Sequence, residues 1–453
     1  MSDAPYKEGS TAAPTRHALD WRNPQFYDIA STEAEMERIF DICHGCRRCF
    51  NLCDAFPRLF EMIDASDSGE VDSVPKERYA EVEAACTLCD MCYMTKCPYV
   101  PPHPFNLDFP HTMLRYRAAR AKAGHTNFTA RQLGEMDRNG RLATLIAPVA
   151  NWASSTSNKL TRPLLESVGV DRDSDLPQFA GRTFVSQAKS NPPPPAASAP
   201  AAARKSVLFP TCFVNYNNPN VGNAALAVLA KNGIAPKVIY PGCCGMPFLE
   251  QAELDKVARQ AEKIAHTFRP FVDEGYTVLT LTASCGLMLK SEWPLLLPEN
   301  EDVEALAKAV MDIDQFIVDV AKNEGLAPGL KPVEGGVTVH LACHARAQNV
   351  GPKAAEMLEL IPDTKVEVVE RCAGHGGTFG VLKGTHEIAM KVGKNAMRSA
   401  LRSGNQHLVS ECPLAARHLV QGMKKLAENG QSAPVVAEHP IEIMAKAYGI
   451  SIA

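Results

Sequence analysis

Apolar positions follow a helical spacing early in the chain and give way to short apolar runs after about residue 205. Thr32 followed by Glu35 is a capping-box pattern. Apolar positions then recur at helical intervals up to Cys43, so we predict a helix that begins at Thr32. The polar composition of residues 1–30, rich in Gly, Pro, Ser and Thr, predicts a disordered tail.

A second segment has no periodic pattern at all. Residues 187–204, QAKSNPPPPAASAPAAAR, contain four consecutive prolines among Ala and Ser. Such a run favours a stiff, extended spacer without secondary structure. We therefore predict a linker over 186–205, preceded by a mostly helical domain over 31–185.

The C-terminal part has an α/β pattern that occurs twice. A helix predicted over 222–232 ends at Gly233, which suits the residue after a helix terminus. The second set of strands repeats the first at an offset of about 130 residues, which indicates an internal duplication with repeats over 206–330 and 331–453. Six short apolar runs predict the strands: 206–209, 238–240, 277–281, 337–341, 366–369 and 407–410.

Composition adds one anomaly to this picture. The apolar content of 45%, the charged content of 22% and the net charge of −4 are those of an ordinary globular protein, and they argue against nucleic-acid binding. The 15 cysteines are unusual. The N-terminus lacks a signal-peptide pattern and no apolar run is long enough to span a bilayer, so we expect a cytoplasmic chain that uses clustered cysteines to bind metal.

Eight cysteines form two motifs, CHGCRRCFNLC and CTLCDMCYMTKCP. Three thiolates at this spacing wrap three corners of a cubane, and in two-cluster ferredoxins the fourth ligand is the last cysteine of the other motif. We therefore predict two [4Fe–4S] clusters, with cluster 1 bound by Cys43, Cys46, Cys49 and Cys97, and cluster 2 by Cys86, Cys89, Cys92 and Cys53.

Other uses of these cysteines fit the pattern less well. Structural zinc takes four ligands per ion from pairs of knuckles, and disulfides between such close cysteines are sterically poor. The segment between the motifs has a helical composition, so we expect an α-helical ferredoxin domain. Arg47 and Arg48 either raise the potential of the first cluster or form a solvated pair, and His44 either donates to a cluster sulfur or is an exposed spacer.

Seven further cysteines follow the predicted strands of the two repeats. Ligands bind at the carboxyl ends of strands in open α/β sheets, so these thiols mark a binding edge. The alternative interpretation is that these cysteines are buried structural thiols. It is reasonable for any one cysteine but explains the set of seven poorly. The first repeat contributes Cys212, Cys243, Cys244 and Cys285, and the second contributes Cys343, Cys372 and Cys412.

Together these elements resemble the family that contains the iron–sulfur subunits of anaerobic glycerol-3-phosphate dehydrogenase and glycolate oxidase, which is related to heterodisulfide reductases. The resemblance rests on TCFVNYNNPNVG, YPGCCGMPFLEQ, ASCGLMLKSEWP, HLACHARAQNVG and CAGHGGTFG. It implies a multidomain fold, with an α-helical ferredoxin domain followed by duplicated α/β CCG domains. It also implies electron transfer from a flavoprotein dehydrogenase subunit towards a membrane quinone pool.

The chain departs from the full CCG pattern of heterodisulfide reductases. Met288 and Ala415 stand where the final cysteine of each repeat is expected, and Ala373 replaces the second cysteine of the second CCG element. The first repeat keeps four thiols, enough for a third cluster. The second repeat is a degenerate site that needs His344, His375 or another chain, and His375 is equally suited to packing against the glycine-rich turn.

The favoured function is therefore an electron-transfer subunit, and the alternative is a reductase that acts on a disulfide at a CCG-bound cluster. No G-x-G-x-x-G or Walker pattern is present, so the chain needs a partner to supply substrate chemistry. The apolar segment 142–152 is either an interfacial or partner-docking element, or a core helix interrupted by Pro148, which the pattern slightly favours. Any membrane contact is expected to be peripheral, at the inner face or through partners.

Overall fold

The computed structural model describes residues 14–427, 434 and 436–452, which form two compact units. The first unit contains the residues up to 127 together with 248–255, and the second contains 128–247 and the residues from 256 onward. The division therefore falls before residue 128, and the predicted boundary at the Pro/Ala-rich segment is wrong.

The first unit is built from helices, and none of its described residues lies in a strand. Its first helix begins one turn before the predicted start, because Asp28 is the N-cap and its side chain accepts from the backbone N of Ala30 at 3.2 Å. Thr32 instead donates its hydroxyl to the carbonyl of Asp28 at 2.7 Å. The helices are α1 (Ile29–Cys46), α2 (Ala55–Asp64), α3 (Tyr79–Ala85), α4 (Met91–Thr95) and α5 (Phe109–Lys122).

Part of the predicted disordered tail belongs to this unit. Trp21 and Phe26 are buried, and Arg16 forms ion pairs with Asp90 and Asp108, each at 2.8 Å. The prediction of disorder is therefore wrong for residues 14–30, because a few large side chains within a polar stretch are enough to anchor it. The rest of the predicted tail lies outside the described residues.

Aromatic side chains fill the centre of the first unit. Phe56 packs against Phe109 with ring centroids 4.7 Å apart, and Phe40 meets the ring of Tyr79 edge-on at 5.0 Å. Buried aromatic pairs of this kind contribute about 0.5–1.5 kcal/mol beyond the burial of their area. This core lies between the helices that carry the two cysteine motifs.

The second unit contains two four-stranded parallel sheets with the same strand order, β2-β1-β3-β4 and β6-β5-β7-β8. This repetition confirms the duplicated α/β fold. The short strands β4 and β8 at the sheet edges are absent from the sequence-based prediction. The first sheet contains β1 (Ser206–Phe209), β2 (Lys237–Val238), β3 (Thr277–Thr280) and β4 (Val310–Asp312), and the second contains β5 (Val337–His340), β6 (Val366–Val369), β7 (His407–Ser410) and β8 (Ala437–Glu438).

Helices surround both sheets. The predicted helix over 222–232 is present, and Gly233 follows it with a φ of +85°. The helices up to the second sheet are α6 (Phe128–Gly134), α7 (Met136–Leu145), α8 (Ala147–Ser154), α9 (Arg162–Ser167), α10 (Phe184–Ser190), α11 (Thr211–Tyr216), α12 (Pro219–Lys231), α13 (Met246–Glu250), α14 (Leu254–Asp273), α15 (Ala283–Leu287), α16 (Trp293–Leu296), α17 (Glu301–Ala309) and α18 (Ile313–Asn323). Those that follow are α19 (Cys343–Ala347), α20 (Lys353–Leu358), α21 (His386–Ser403), α22 (Pro413–Leu426) and α23 (Pro440–Ala447).

The predicted linker is part of the second unit. Its first residues belong to α10, and Ala201 lies in the core that also contains Phe184 and Leu208. The backbone N of Ala196 donates to the carbonyl of Ala230 at 2.8 Å. Small Ala side chains allow this close packing, so the segment is a structural layer of the α/β unit rather than a spacer.

The segment 142–152 also differs from the favoured prediction. The chain forms two helices, α7 and α8, that meet at Ile146 two residues before Pro148. Leu145 is 82% exposed and Trp152 is 56% exposed. The interpretation as a core helix is therefore wrong, because helical periodicity does not reveal whether an apolar face is covered. Within the described ranges, no helix has the length and apolar character needed to cross a membrane.

Candidate metal centres

The eight cysteines of the first unit lie at helix ends and in the loops that join them. Cys43 and Cys46 end α1, Cys49 and Cys53 follow in the next loop, and Cys86 directly follows α3. The remaining three surround or belong to the short helix α4: Cys89, Cys92 and Cys97. All eight are free thiols, so no disulfide competes for them.

Electrostatic contributions to the pKa values of these thiols link cysteines of the two sequence motifs. Burial raises the pKa of Cys43 well above its ordinary value, and the charges of Cys97, Cys49 and Cys46 raise it further. Burial likewise raises the pKa of Cys92, and the charges of Cys89, Cys86, Cys49 and Cys53 raise it further, in that order. Cys97 thus lies near the first three cysteines of the other motif, and Cys92 lies near both Cys49 and Cys53 of the first motif.

Backbone conformation in the cysteine loops is unusual. Arg47, Leu88 and Asp90 have positive φ values of 52°, 51° and 62°, which are uncommon for residues with a side chain. Arg47 directly follows Cys46, and the other two flank Cys89. Such conformations cost about 1–3 kcal/mol each and concentrate at ligand-binding sites.

A charged network supports the second motif. Arg117 donates to the carboxylate of Glu83 at 2.5 Å and to the backbone carbonyl of Cys86 at 2.7 Å. Arg120 also donates to Glu83, at 3.0 Å. The nearby guanidinium opposes the effect of burial on Cys86, whose pKa is raised to about 11. A positive charge beside this thiol favours the thiolate form that metals bind.

The polar residues of the first loop form their own network. His44 and Arg47 both contact the carboxylate of Asp64, at 3.1 Å for His44 Nε2 and 3.0 Å for the Nη1 atom of Arg47. The guanidinium of Arg47 also lies 5.3 Å from the ring centroid of Phe60. The charge of Arg47 is thus paired with Asp64 at the surface. This pairing favours the interpretation of Arg47 as a solvated surface residue over a role in raising the potential of the first cluster.

The four thiols of the first repeat are buried together at the carboxyl ends of the strands. Cys212 lies in the first turn of α11, Cys243 and Cys244 precede α13, and Cys285 lies in α15. Cys243 Sγ is 3.7 Å from Cys212 Sγ. Hydrogen bonds from Cys212 and Cys244 lower the pKa of Cys243 well below its ordinary value. The chemistry of this donor set fits an iron–sulfur cluster, because four buried thiols at one sheet edge provide a dry, sulfur-rich site.

Side chains distant in sequence hold this group in place. Asp137 on α7 accepts from the backbone N of Cys243 at 2.9 Å, and it also accepts from the hydroxyl of Tyr240. Trp293 donates its ring N–H to the carbonyl of Cys244 at 3.1 Å. Asp137 and Trp293 were missed by the sequence-based prediction, since no local motif connects either residue with the cysteines.

The second repeat is more open. Cys372 is exposed, Cys343 and Cys412 are half-buried, and the backbone N of Gly374 donates to Cys372 Sγ at 3.3 Å. Met288 and Ala415, which replace the expected final cysteines of the two repeats, are buried hydrophobic residues. The three thiols of this repeat provide a smaller and less protected donor set than the four of the first.

His375 belongs to a histidine group that the sequence did not reveal. Its ring lies 5.7 Å from that of His418, which in turn lies 6.0 Å from the ring of His386. Burial lowers the pKa of His375 to about 3 and that of His418 to about 4, so both are neutral at physiological pH. Within the described residues, no three His, Cys, Asp or Glu side chains converge closely enough to bind a single metal ion.

The duplicated sheets with cysteines beyond their strands define a protein with two cysteine-rich domains. The model of the CCG cysteine-rich domain family matches residues 206–290 and 337–419. Lactate utilization protein A of Geobacillus sp. (strain WCH70) is 34% identical over 196 residues, which cover 40% of this chain and 76% of that protein. The chain therefore belongs to the family of CCG-domain iron–sulfur proteins.

Two longer matches extend beyond the CCG repeats. A subunit of the anaerobic glycerol-3-phosphate dehydrogenase from Escherichia coli (strain K12) is 28% identical over 335 residues, 73% of this chain and 80% of that protein. A subunit of the fumarate reductase (CoM/CoB) from Methanothermobacter marburgensis is 26% identical over 399 residues, 84% of this chain and 68% of that protein. Both relatives are thus named as components of oxidoreductase complexes.

Proposed function

We propose that this chain is the iron–sulfur electron-transfer subunit of a flavin-dependent dehydrogenase complex. The observation that carries the proposal is the proximity of thiols from different motifs in the first unit, where Cys97 neighbours Cys43, and Cys53 neighbours Cys92. Two adjacent sites that exchange their fourth ligand are typical of two-cluster ferredoxins. The first unit then acts as an α-helical ferredoxin domain that relays electrons.

In this proposal each cluster has four thiolate ligands. The first is bound by Cys43, Cys46, Cys49 and Cys97, and the second by Cys86, Cys89, Cys92 and Cys53. A bound cluster supplies a one-electron redox centre. The protein holds the thiolates at fixed positions, excludes water with its aromatic core and, through Arg117, places a positive charge near Cys86.

We further propose a third cluster in the first CCG repeat, bound by Cys212, Cys243, Cys244 and Cys285. The mutual contact of these buried thiols supports it, as does the hydrogen bond from Cys243 N–H that fixes the CCG turn on Asp137. The second repeat, with Cys343, Cys372, Cys412 and His375, is proposed as a degenerate site that does not hold a complete cluster of its own. Electrons therefore leave the chain on the side of the first repeat.

The substrate chemistry belongs to a partner in this scheme. The relatives are named as subunits of dehydrogenase and reductase complexes, which supports a flavoprotein dehydrogenase subunit as the electron donor. The acceptor is proposed to be quinone or another carrier of electrons.

The alternative is an enzyme that reduces a disulfide at the first CCG repeat. The observation in favour of this alternative is the group of four buried free thiols in the first repeat, which could hold a cluster that reacts with a disulfide. Met288 opposes it, because this buried thioether occupies the position of the fifth thiolate expected for such a cluster.

Reconstitution with a flavoprotein dehydrogenase subunit separates the two functions. The electron-transfer proposal expects reduction of a quinone analogue only when flavoprotein, its substrate and this chain are all present. It also expects Cys92→Ser to abolish that transfer, whereas Cys372→Ser, which removes an exposed thiol of the degenerate site, leaves most of it. Disulfide reduction by the isolated chain with an artificial electron donor would instead establish the alternative.

A further inference from the structure

Eight large apolar side chains of one short segment face solvent. They are eight of the fourteen large hydrophobic residues that are exposed in the described part of the chain, so their clustering is not a scatter of single residues. We call this group the 142–168 surface. It comprises Leu142, Leu145, Ile146, Val149, Trp152, Leu160, Leu164 and Val168, each more than half exposed.

The segment is folded with its polar groups inside. Arg162 is 2% exposed and donates to the carbonyls of Ser154 and Ser155 at 2.6 and 3.1 Å. Asn158 is also buried, and its side chain donates to the carbonyl of Trp152 at 2.9 Å. These bonds fix the turn between α8 and α9, in which Leu160 is 80% exposed. A cluster of exposed apolar side chains on such a fixed element is typical of a site that contacts a membrane or a partner.

The charge of the segment indicates which of the two it contacts. Arg138, Arg141 and Lys159 are exposed on or beside this surface, and its one carboxylate, Glu166, is paired with Arg172 at 2.9 Å. Basic residues together with exposed Leu, Val and Trp are typical of segments that lie in the headgroup region of an anionic bilayer. Trp152 suits this boundary because its ring is apolar and its N–H is polar.

We propose that the 142–168 surface docks on the anionic face of a lipid bilayer, with its leucines at the acyl boundary and its exposed basic residues among the headgroups. The role of this docking in electron transfer rests on the proposed function. Docking places the electron acceptor of the chain in the membrane.

The same helix connects this surface with the first CCG repeat. Near the start of α7, Asp137 accepts from the backbone of Cys243, and Gly140 lies directly against the ring of Tyr216. Leu145 ends the helix, eight residues after Asp137, which corresponds to about 12 Å along the axis. A lipid-dissolved acceptor at the docked surface therefore comes close to the thiols of the first repeat.

Tryptophan fluorescence offers a local probe of docking. The chain has three tryptophans, of which Trp21 and Trp293 are buried. A change in the surrounding solvent therefore alters mainly the fluorescence of Trp152. We expect a blue shift when the full chain is mixed with phosphatidylglycerol-containing vesicles and none with pure phosphatidylcholine vesicles. Trp152→Phe should remove the shift, while flotation with the anionic vesicles persists.

Substitution of the most exposed leucines tests the surface itself. Leu145→Asp and Leu160→Asp, at 82% and 80% exposure, should each weaken flotation about tenfold, since each removes the insertion of one leucine. Val436→Asp is the matched control, an equally polar change at an exposed valine outside the surface, and should not alter flotation.

Three results would overturn the proposal. They are the absence of flotation with any vesicle, unchanged flotation of both leucine variants, and complete shielding of Trp152 by a second copy or by the flavoprotein without lipid. Iron content measured in the same samples distinguishes this failure from that of the proposed function, because vesicle docking by this surface does not require bound clusters.

Discussion

Asp137→Asn removes a negative charge beside the first CCG repeat while preserving its shape. The Asp137 carboxylate accepts from the backbone N of Cys243 at 2.9 Å and from the hydroxyl of Tyr240. Asparagine retains one carbonyl oxygen for the bond to Cys243, so the CCG turn should keep its conformation. The substitution therefore tests an electrostatic effect rather than a folding effect.

The size of the effect follows from this geometry. At a separation of about 7 Å and an effective dielectric constant of about 20, one charge contributes about 2.4 kcal/mol to the addition of another. For a one-electron couple this corresponds to about 100 mV. Removal of the negative charge eases addition of an electron, so the potential of this cluster should rise by about 50–100 mV.

A potentiometric titration followed by electron paramagnetic resonance measures the shift. Signals from the other clusters should shift less than that of the cluster bound through Cys243, because Asp137 contacts the backbone of Cys243 directly. Glu135→Gln is the matched control, since it removes a carboxylate two residues away that pairs with Lys256 at 2.7 Å and does not contact the cysteines. An unchanged third signal, or an equal shift in Glu135→Gln, would refute the reasoning.

Three further predictions concern ligands, packing and pH. Cys97→Ser should abolish the cluster of Cys43, Cys46 and Cys49 and spare the other, as seen by electron paramagnetic resonance; the reverse loss would contradict the crossed assignment. Gly140→Ala should lower the free energy of unfolding by about 1–3 kcal/mol in urea titrations, because a Cβ there would lie 2.4 Å from the ring of Tyr216; Gly181→Ala, where nothing lies within 4 Å, is the control. Burial lowers the pKa of His439 to about 3, so below its unfolded value of 6.5 the unfolded chain gains a proton that the folded chain does not, and stability falls with decreasing pH by about 1.4 kcal/mol per unit. His439→Asn keeps the N-cap of α23 and should reduce this slope, and an unchanged slope would show that His439 does not contribute to it.

The sequence predicts well those features that depend on neighbouring residues. The strand β1 and the helix over 222–232 follow from local apolar patterns and a terminal glycine, and all seven cysteines of the repeats lie beyond strands as expected. The duplication was visible because both repeats retain the same order of strands and cysteines.

Features that depend on contacts between residues far apart in sequence cannot be predicted from local patterns. Asp137 lies 106 residues before Cys243, and the burial of Ala201 depends on helices far away in sequence. The exposure of Leu145 could not be read from periodicity either, because an amphipathic pattern is the same whether its apolar face meets a core or a membrane. These are the residues that connect the candidate site with its surroundings.

Mössbauer spectroscopy of anaerobically purified, iron-57-enriched chain tests the central claim most directly. The account predicts that all bound iron is present in four-iron clusters, with about eight atoms per chain retained when the four cysteines of the first CCG repeat are replaced by serine, and about twelve in the unaltered protein. Four or fewer iron atoms per chain, or iron in isolated tetrahedral sites, would contradict the account.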